Sequence, residues 1–309
     1  MRPGPVLTAV LAAALVTGCS GEPDPDRRES APSPSAATSS ADSSTAGTPT
    51  LEPTESPTPT APASNRQGRA GRGPELDDWE IGARTLPLRP DGFGQVRRTP
   101  RELRVRIMPT ITNLPPPRWK GYRADIRRIT PWVRGRMGTS WERGCPVGLR
   151  RMRYLQVTFW GFDQRRHVGE LIVHEDHARG IAQVFRKLYD ARFPIEQMTL
   201  PTSVERDPTP SGDGNGTGAM ACRATVGQTF WSAHALGQAI DINPFQNPYE
   251  RDGLVIPERA SAYLDRSWHR PGMIQPGGVV VRAFRDIGWS WGGDWRTLKD
   301  YQHFSATGR

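Results

Sequence analysis

Lysine is nearly absent from this basic chain, since only three of its 41 basic residues are lysines, at positions 120, 187 and 299. The positive charge is therefore almost all arginine. Cysteine is also scarce: there are three, and none belongs to a C-x-x-C pair, which argues against a metal held by cysteines. No nucleic-acid-binding motif is present, and with the secretion signal described next this argues against nucleic acid as a partner.

The chain begins with a short apolar run over residues 6–16, preceded by Arg2. This run is shorter than the roughly 20 apolar residues needed to span a bilayer, and a basic start followed by small residues is typical of a secretory signal peptide, here residues 1–18. Val16-Thr17-Gly18-Cys19 resembles a bacterial lipobox. We therefore predict lipidation of Cys19 and an extracytoplasmic protein anchored to the bacterial cell membrane. The alternative is an ordinary signal peptide with a coincidental cysteine.

The remainder divides by composition into three parts. Residues 19–74 are rich in Ser, Thr, Pro and Ala, and such a segment buries too little apolar surface to fold, so we predict a disordered tether. Residues 75–140 are rich in turn-forming residues and predict an extended N-terminal arm, in which the alternation over 104–108 indicates a strand. Residues 141–309 form the predicted globular domain.

The charge is distributed unevenly between these parts. Removing the −4 of residues 20–66 and the +1 of Arg2 from the total of +9 leaves about +12 on residues 67–309. A surface of this sign suits an anionic neighbourhood, such as wall polymers or acidic lipid headgroups. An arginine-rich coding bias that yields a merely solvated surface is the alternative.

The globular part alternates between strand-like and helix-like segments. Residues 154–160 and 169–174 have strand composition and predict a hairpin, whereas 175–193 and 279–287 carry apolar residues at helical spacing. A few helices and about four strands in mixed order predict an α+β fold.

Two histidines and one aspartate have the pattern of a metal site. His234 and Asp241 lie seven residues apart around Gly237, and alternation in the strand that follows directs Asp241 away from the core. His303 near the C-terminus supplies a third ligand, which is the number that a catalytic zinc site takes from the protein. Asp300 precedes it by three residues. Without this spacing, Asp241 would be an ordinary strand residue and Asp300 an ordinary turn residue.

These residues resemble the signature of a known family. Ser232, His234, Gly237, Ala239 and Asp241 form S-x-H-x-x-G-x-A-x-D, which is similar to the first motif of the D-alanyl-D-alanine carboxypeptidase-like zinc peptidases, a superfamily that includes VanY-like carboxypeptidases and L-alanyl-D-glutamate endopeptidases. Residues 288–295, followed by Asp300 and His303, resemble its second motif.

The resemblance implies a function and a set of roles. His234, Asp241 and His303 would bind Zn²⁺, and Asp300 would act as general base. Arg223 would bind a substrate carboxylate or the oxyanion. Ser232 would form a hydrogen bond near the metal ligands. The implied fold is a small antiparallel sheet flanked by helices. The implied reaction is hydrolysis of peptidoglycan stem peptides by a metallopeptidase, with Asp300 favouring the endopeptidase branch. The alternative is a non-catalytic, zinc-bearing, wall-binding lipoprotein.

The other cysteines and histidines receive structural roles. If Cys19 is lipidated, Cys145 and Cys222 remain as a pair in an oxidising compartment, and we predict a disulfide between them. Metal ligation by these cysteines is the alternative. We interpret the remaining four histidines as structural or solvated, and we expect a monomer. Four tryptophans near the motifs, at positions 231, 289, 291 and 295, could line a groove for substrate, and we expect at least two of them to belong to the core instead.

Overall fold

The computed structural model describes residues 74–200, 210–225 and 228–308. The predicted signal peptide, Cys19 and nearly all of the predicted tether lie outside these residues. Among the residues described, no helix combines the length and apolar character needed to cross a membrane. Within these residues the architecture is α+β, as predicted, with three small antiparallel sheets rather than one.

The first sheet contains the predicted hairpin. Strands β2 (Met152–Trp160) and β3 (Arg166–His174) pair antiparallel with Leu155 opposite Leu171, which confirms both strands. A third strand, β1 (Ala124–Arg128), pairs with the other edge of β2. Residues that the sequence placed in an extended arm thus supply the outer strand of this sheet.

Apolar groups cover one face of β2 and the beginning of the other. Leu155, Val157 and Phe159 belong to the main core, while Met152 and Tyr154 belong to a second cluster with Val133 and Met137. Alternate residues of a strand point to opposite faces, so this covering explains why β2 reads as a largely apolar run.

In the part of the chain that the structure describes, three α-helices accompany the sheets: α1 (Pro131–Arg136), α2 (Ala178–Asp190) and α3 (Val279–Arg285). The last two confirm the predicted helices, and each is shorter than its apolar pattern suggested. Both contribute buried residues to the main core, where the ring of Phe284 stacks on that of Phe304 with centroids 4.0 Å apart.

Two further sheets come from the C-terminal part of the chain. In one, β4 (Ala239–Asp241) and β7 (Ser290–Trp291) flank the central strand β9 (His303–Ser305). In the other, β6 (Leu254–Ile256) and β8 (Lys299–Asp300) flank the central strand β5 (Tyr249–Arg251). The candidate site lies where β4, β8 and β9 approach one another.

The strand predicted over 104–108 is wrong. The side chain of Arg106 is fully buried, where its guanidinium contacts both carboxylate oxygens of Glu196 at 2.8 and 2.6 Å and donates to the carbonyl oxygen of Asp213 at 2.8 Å. The alternation in this segment therefore reflects a buried ion pair rather than a strand. This ion pair connects the N-terminal part of the described chain to the domain.

Cys145 and Cys222 form a disulfide with their Cα atoms 5.8 Å apart. Both residues pack in the second apolar cluster with Leu200 and Met220. The bond joins the segment after α1 to the residue before Arg223, so it fixes the chain that enters the candidate site.

Candidate metal centre

Strand pairing places two of the three predicted ligands side by side. Asp241 ends β4 and lies directly opposite His303 of β9. Side chains of directly paired residues project from the same face of a sheet. The two ligands, 62 residues apart in sequence, therefore meet because the second sheet forms.

The third ligand arrives through a tight turn. The amide of Gly237 donates to the carbonyl oxygen of His234 at 3.0 Å, and Gly237 itself has φ +65°, which favours glycine. A Cβ at this position would lie 2.7 Å from the backbone nitrogen of His174. That nitrogen donates to the Gly237 carbonyl oxygen at 2.8 Å, so the turn docks against the end of β3.

The three ligand atoms have the spacing of a tetrahedral metal site. His234 Nε2 lies 3.2 Å from His303 Nδ1 and 3.3 Å from Asp241 Oδ1, and the latter two atoms are 3.0 Å apart. Ligands about 2.0–2.1 Å from a tetrahedral ion are separated by about 3.3 Å. Two imidazole nitrogens and a carboxylate oxygen therefore fit zinc both in chemistry and in spacing.

Hydrogen bonding fixes which nitrogen of His234 faces the cluster. Its Nδ1 lies 2.6 Å from the carbonyl oxygen of Ala219. A carbonyl oxygen can only accept, so Nδ1 carries the proton and Nε2 presents its lone pair to Asp241 and His303. Backbone carbonyls commonly orient metal-binding histidines in this way.

Asp241 is held in its charged form. Burial alone would raise its pKa, but the neighbouring imidazoles of His234 and His303 outweigh that effect and hold the pKa well below its usual range. The side chain remains 23% exposed, whereas both histidines are buried. The cluster thus has a closed inner side and an open outer side.

Asp300 lies near the cluster without joining it. It belongs to β8, and its Oδ1 is buried with no hydrogen-bond partner among the residues that the structure describes. Burial, followed by the negative charge of Asp241, raises its pKa to about 7. Gly292 packs against it so closely that a Cβ there would lie 2.5 Å from the Asp300 carbonyl oxygen.

Arg223 and Ser232 differ in exposure and in the site residue that each affects. Arg223 is exposed, and its positive charge acts to lower the pKa of Asp300. Ser232 is buried, and its Oγ accepts a hydrogen bond from the backbone nitrogen of His234 at 3.3 Å. The structure thus brings the three ligand residues together, with Ser232 and Asp300 beside them and Arg223 within electrostatic range of Asp300.

Two of the tryptophans near the motifs belong to the core, as expected. Trp289 and Trp291 are buried in the core, while Trp231 is 46% exposed next to Ser232. The ring of Trp295 lies 5.5 Å from that of His303.

Sequence reasoning missed two supporting residues, Gln302, whose side chain hydrogen-bonds Asp300, and Ala219, which acts through its backbone. A backbone contact has no signal in the sequence, whereas Gln302 lies within the second motif.

Residues 225–306 match the family described as D-alanyl-D-alanine carboxypeptidase. The match includes His234, Asp241, Asp300 and His303, and it begins two residues after Arg223. No curated protein and no solved structure matches the chain. The carboxypeptidase match covers roughly a quarter of the chain, and together with the His–Asp–His cluster it supports a metal-dependent peptidase related to peptidoglycan.

Proposed function

We propose that this protein is a zinc-dependent peptidase that hydrolyses peptide bonds in the stem peptides of peptidoglycan, on a fold of the D-alanyl-D-alanine carboxypeptidase-like superfamily. The observation that carries the proposal is the mutual spacing of 3.0–3.3 Å between the ligand atoms of His234, Asp241 and His303. The family match over residues 225–306 supports the same reading.

The ligand residues supply two imidazoles and one carboxylate, which leaves one position of a tetrahedral site open. When bound, zinc supplies Lewis acidity, which polarises the scissile carbonyl group and lowers the pKa of a bound water to about 7. Because the Ala219 carbonyl oxygen accepts from Nδ1–H of His234, Nε2 is free to bind the metal.

Asp300 is the general base of the proposal. Its buried Oδ1 has no other hydrogen-bond partner among the described residues, so it is available to accept a proton from the attacking water. The same oxygen then delivers that proton to the amine that leaves, which balances the hydrolysis. A positioned carboxylate of this kind contributes about 10²–10⁴-fold to rate.

Arg223 is the proposed partner of the substrate's negative charge. Arg223 is exposed, and its charge lies within electrostatic reach of Asp300. A guanidinium can bind a carboxylate through two parallel hydrogen bonds, or stabilise an oxyanion in the transition state. Ser232 acts only indirectly, by accepting from the backbone of His234.

The scissile bond lies either between the terminal D-alanines or between L-Ala and D-Glu of the stem. Aspartate as the base favours the endopeptidase, whereas the matched family is described as a carboxypeptidase. We further propose an extracytoplasmic monomer held to the membrane by a lipid on Cys19.

Incubation of the zinc-loaded full-length chain with purified muropeptides, read by mass spectrometry, tests the proposal. Free D-alanine identifies a carboxypeptidase, and a released peptide that begins with D-Glu identifies the endopeptidase. Asp300→Asn should abolish product while zinc remains bound. Asp294→Asn, which removes an exposed acid, is the matched control.

A folded, zinc-bound protein that yields no product from any muropeptide would overturn the proposal that this protein is a peptidase. Binding of that same protein to intact walls would then support the non-catalytic alternative.

A further inference from the structure

A pocket of about 130 Å³ lies over the first sheet, outside the segment that matches the peptidase family. It shares no lining residue with the metal centre. Its walls are formed by Trp119, Arg123, Asp125, Arg127, Gln156 and Val168.

Strand register explains why these side chains share one face. Asp125 pairs with Gln156, which pairs with Glu170, and Arg127 pairs with Tyr154 one row further along. Because directly paired residues project to the same side, these rows build a polar face. The residues between them, such as Leu155, point into the core.

An aromatic ring stands at each end of this polar face. Trp119 donates its indole N–H to Thr158 Oγ1 at 3.0 Å, and the guanidinium of Arg123 lies 5.2 Å from its ring centre. Trp132 lies at the other end against Tyr154, with ring centroids 6.4 Å apart, and it is 59% exposed. Four strand residues separate the two ends, which corresponds to about 13 Å.

The charges on this face leave one cation uncompensated. Arg127 pairs with Asp125, and Arg136 pairs with the buried Glu170, which also accepts from Tyr154. Arg123 has no ion pair among the described residues. The three arginines at 123, 127 and 136 face only two acids, Asp125 and Glu170, so the net charge of +1 attracts an anionic ligand.

The combination of groups favours one class of ligand. Sugar rings present apolar C–H faces that stack on tryptophan and hydroxyl groups that pair with planar side chains such as Asp, Gln and Arg. A site for a plain polyanion would gain nothing from two indole rings, which are apolar except for one donor. We propose that this face binds an anionic oligosaccharide, with sugar rings on Trp119 and Trp132 and an acidic substituent on Arg123.

The proposal does not depend on the peptidase activity, and calorimetric titration of the full-length chain tests it directly. The probe is a hyaluronan hexasaccharide, which alternates an N-acetylated sugar with a carboxylate-bearing one. We expect binding that weakens by about tenfold in Trp132→Ala and in Arg123→Gln. Both side chains are exposed, so neither variant should lose its fold, which circular dichroism checks.

Matched controls separate this site from general charge and general aromatic exposure. Arg128→Gln removes the same charge one residue beyond Arg127, hence from the opposite face of β1. Trp268→Ala removes an indole that is 41% exposed elsewhere. Neither control should change the affinity.

Two comparison ligands complete the test. Neutral chitohexaose should bind at least about tenfold more weakly than the hyaluronan hexasaccharide, because it lacks the carboxylate for Arg123. Equal binding of a hexaglutamate peptide, unaffected by Trp132→Ala, would overturn the proposal in favour of an unspecific basic surface, and so would the absence of binding to the hyaluronan probe.

Discussion

The Nδ1–H of His234 donates a 2.6 Å hydrogen bond to the backbone carbonyl oxygen of Ala219. This contact turns Nε2 toward Asp241 and His303, so the cluster is oriented before any metal binds. A preoriented set of ligands loses less conformational entropy on binding than a mobile one.

We expect replacement of His234 by Ala to abolish tight zinc binding. The loss of affinity should exceed about 100-fold, the upper end of what removal of an outer hydrogen-bond partner costs, because a ligand itself is removed. Competition with a chromogenic chelator measures the affinity. His269→Ala, at an exposed histidine outside the cluster, should bind zinc normally, and equal affinities for the two variants would refute the site.

We expect Gly237→Ala to destabilise the protein more than Gly253→Ala. Both glycines have positive φ, but a Cβ at Gly253 meets nothing within 4 Å, whereas one at Gly237 meets the backbone nitrogen of His174 at 2.7 Å. Backbone strain of about 1–2 kcal/mol is common to both, and overpacking adds about 1–3 kcal/mol at Gly237 alone.

Urea unfolding of the two glycine variants measures this difference. Because the turn carries His234, the Gly237 variant should also bind zinc more weakly. Equal unfolding free energies would show that the turn does not dock against β3 as described.

We expect Arg106→Met to lower the free energy of unfolding by about 3–5 kcal/mol, because it leaves the buried carboxylate of Glu196 without its charged partner. Arg106→Met combined with Glu196→Gln should recover part of this loss. Arg89→Met breaks the exposed pair with Asp91 and should cost less than about 1 kcal/mol. Equilibrium denaturation compares all three variants. Similar losses in the free energy of unfolding for Arg106→Met and Arg89→Met would contradict a stabilising role of the buried Arg106–Glu196 ion pair.

His177 should make stability depend on pH. Burial of its ring, together with the charge of nearby His174, lowers its pKa. The unfolded chain therefore binds a proton at His177 more readily than the folded chain does. The stability that neutral His177 contributes to the folded state is complete above the unfolded pKa of about 6.5. It is lost as pH falls through that value toward the lower folded pKa.

Unfolding of the metal-free protein between pH 7.5 and pH 5 tests this effect. His177→Gln should show a smaller loss of stability over this range than the parent, and His269→Gln should match the parent. A His177→Gln curve parallel to that of the parent would contradict the prediction.

Local sequence patterns were sufficient to predict the helices and strands that have strong periodicity. The apolar spacing of α2 and the composition of β2 and β3 predicted their type and approximate position, because each buries one or both faces in the core. His234 and Asp241 could also be predicted, since one turn and one strand set their spacing, and His303 was identified from the second motif.

Other features depend on contacts between distant segments. The alternation around Arg106 predicted a strand because sequence alone does not show that Glu196 neutralises this charge in the interior. The pairing of β1 with β2 was missed for a similar reason: the edge position of β1 leaves it without a continuous apolar pattern. The division into arm and domain at residue 140 stays a prediction.

The sequence by itself determined which side chains could bind a metal and which short segments would form helices and strands, because these depend on neighbours along the chain. Only the tertiary structure decided that β9 pairs with β4, so that His303 meets Asp241, and that β8 places Asp300 beside them. It also decided that two tryptophans flank a polar face of the first sheet. The physical reason is that strand pairing and burial join residues far apart in sequence, and their geometry follows from the packed core as a whole.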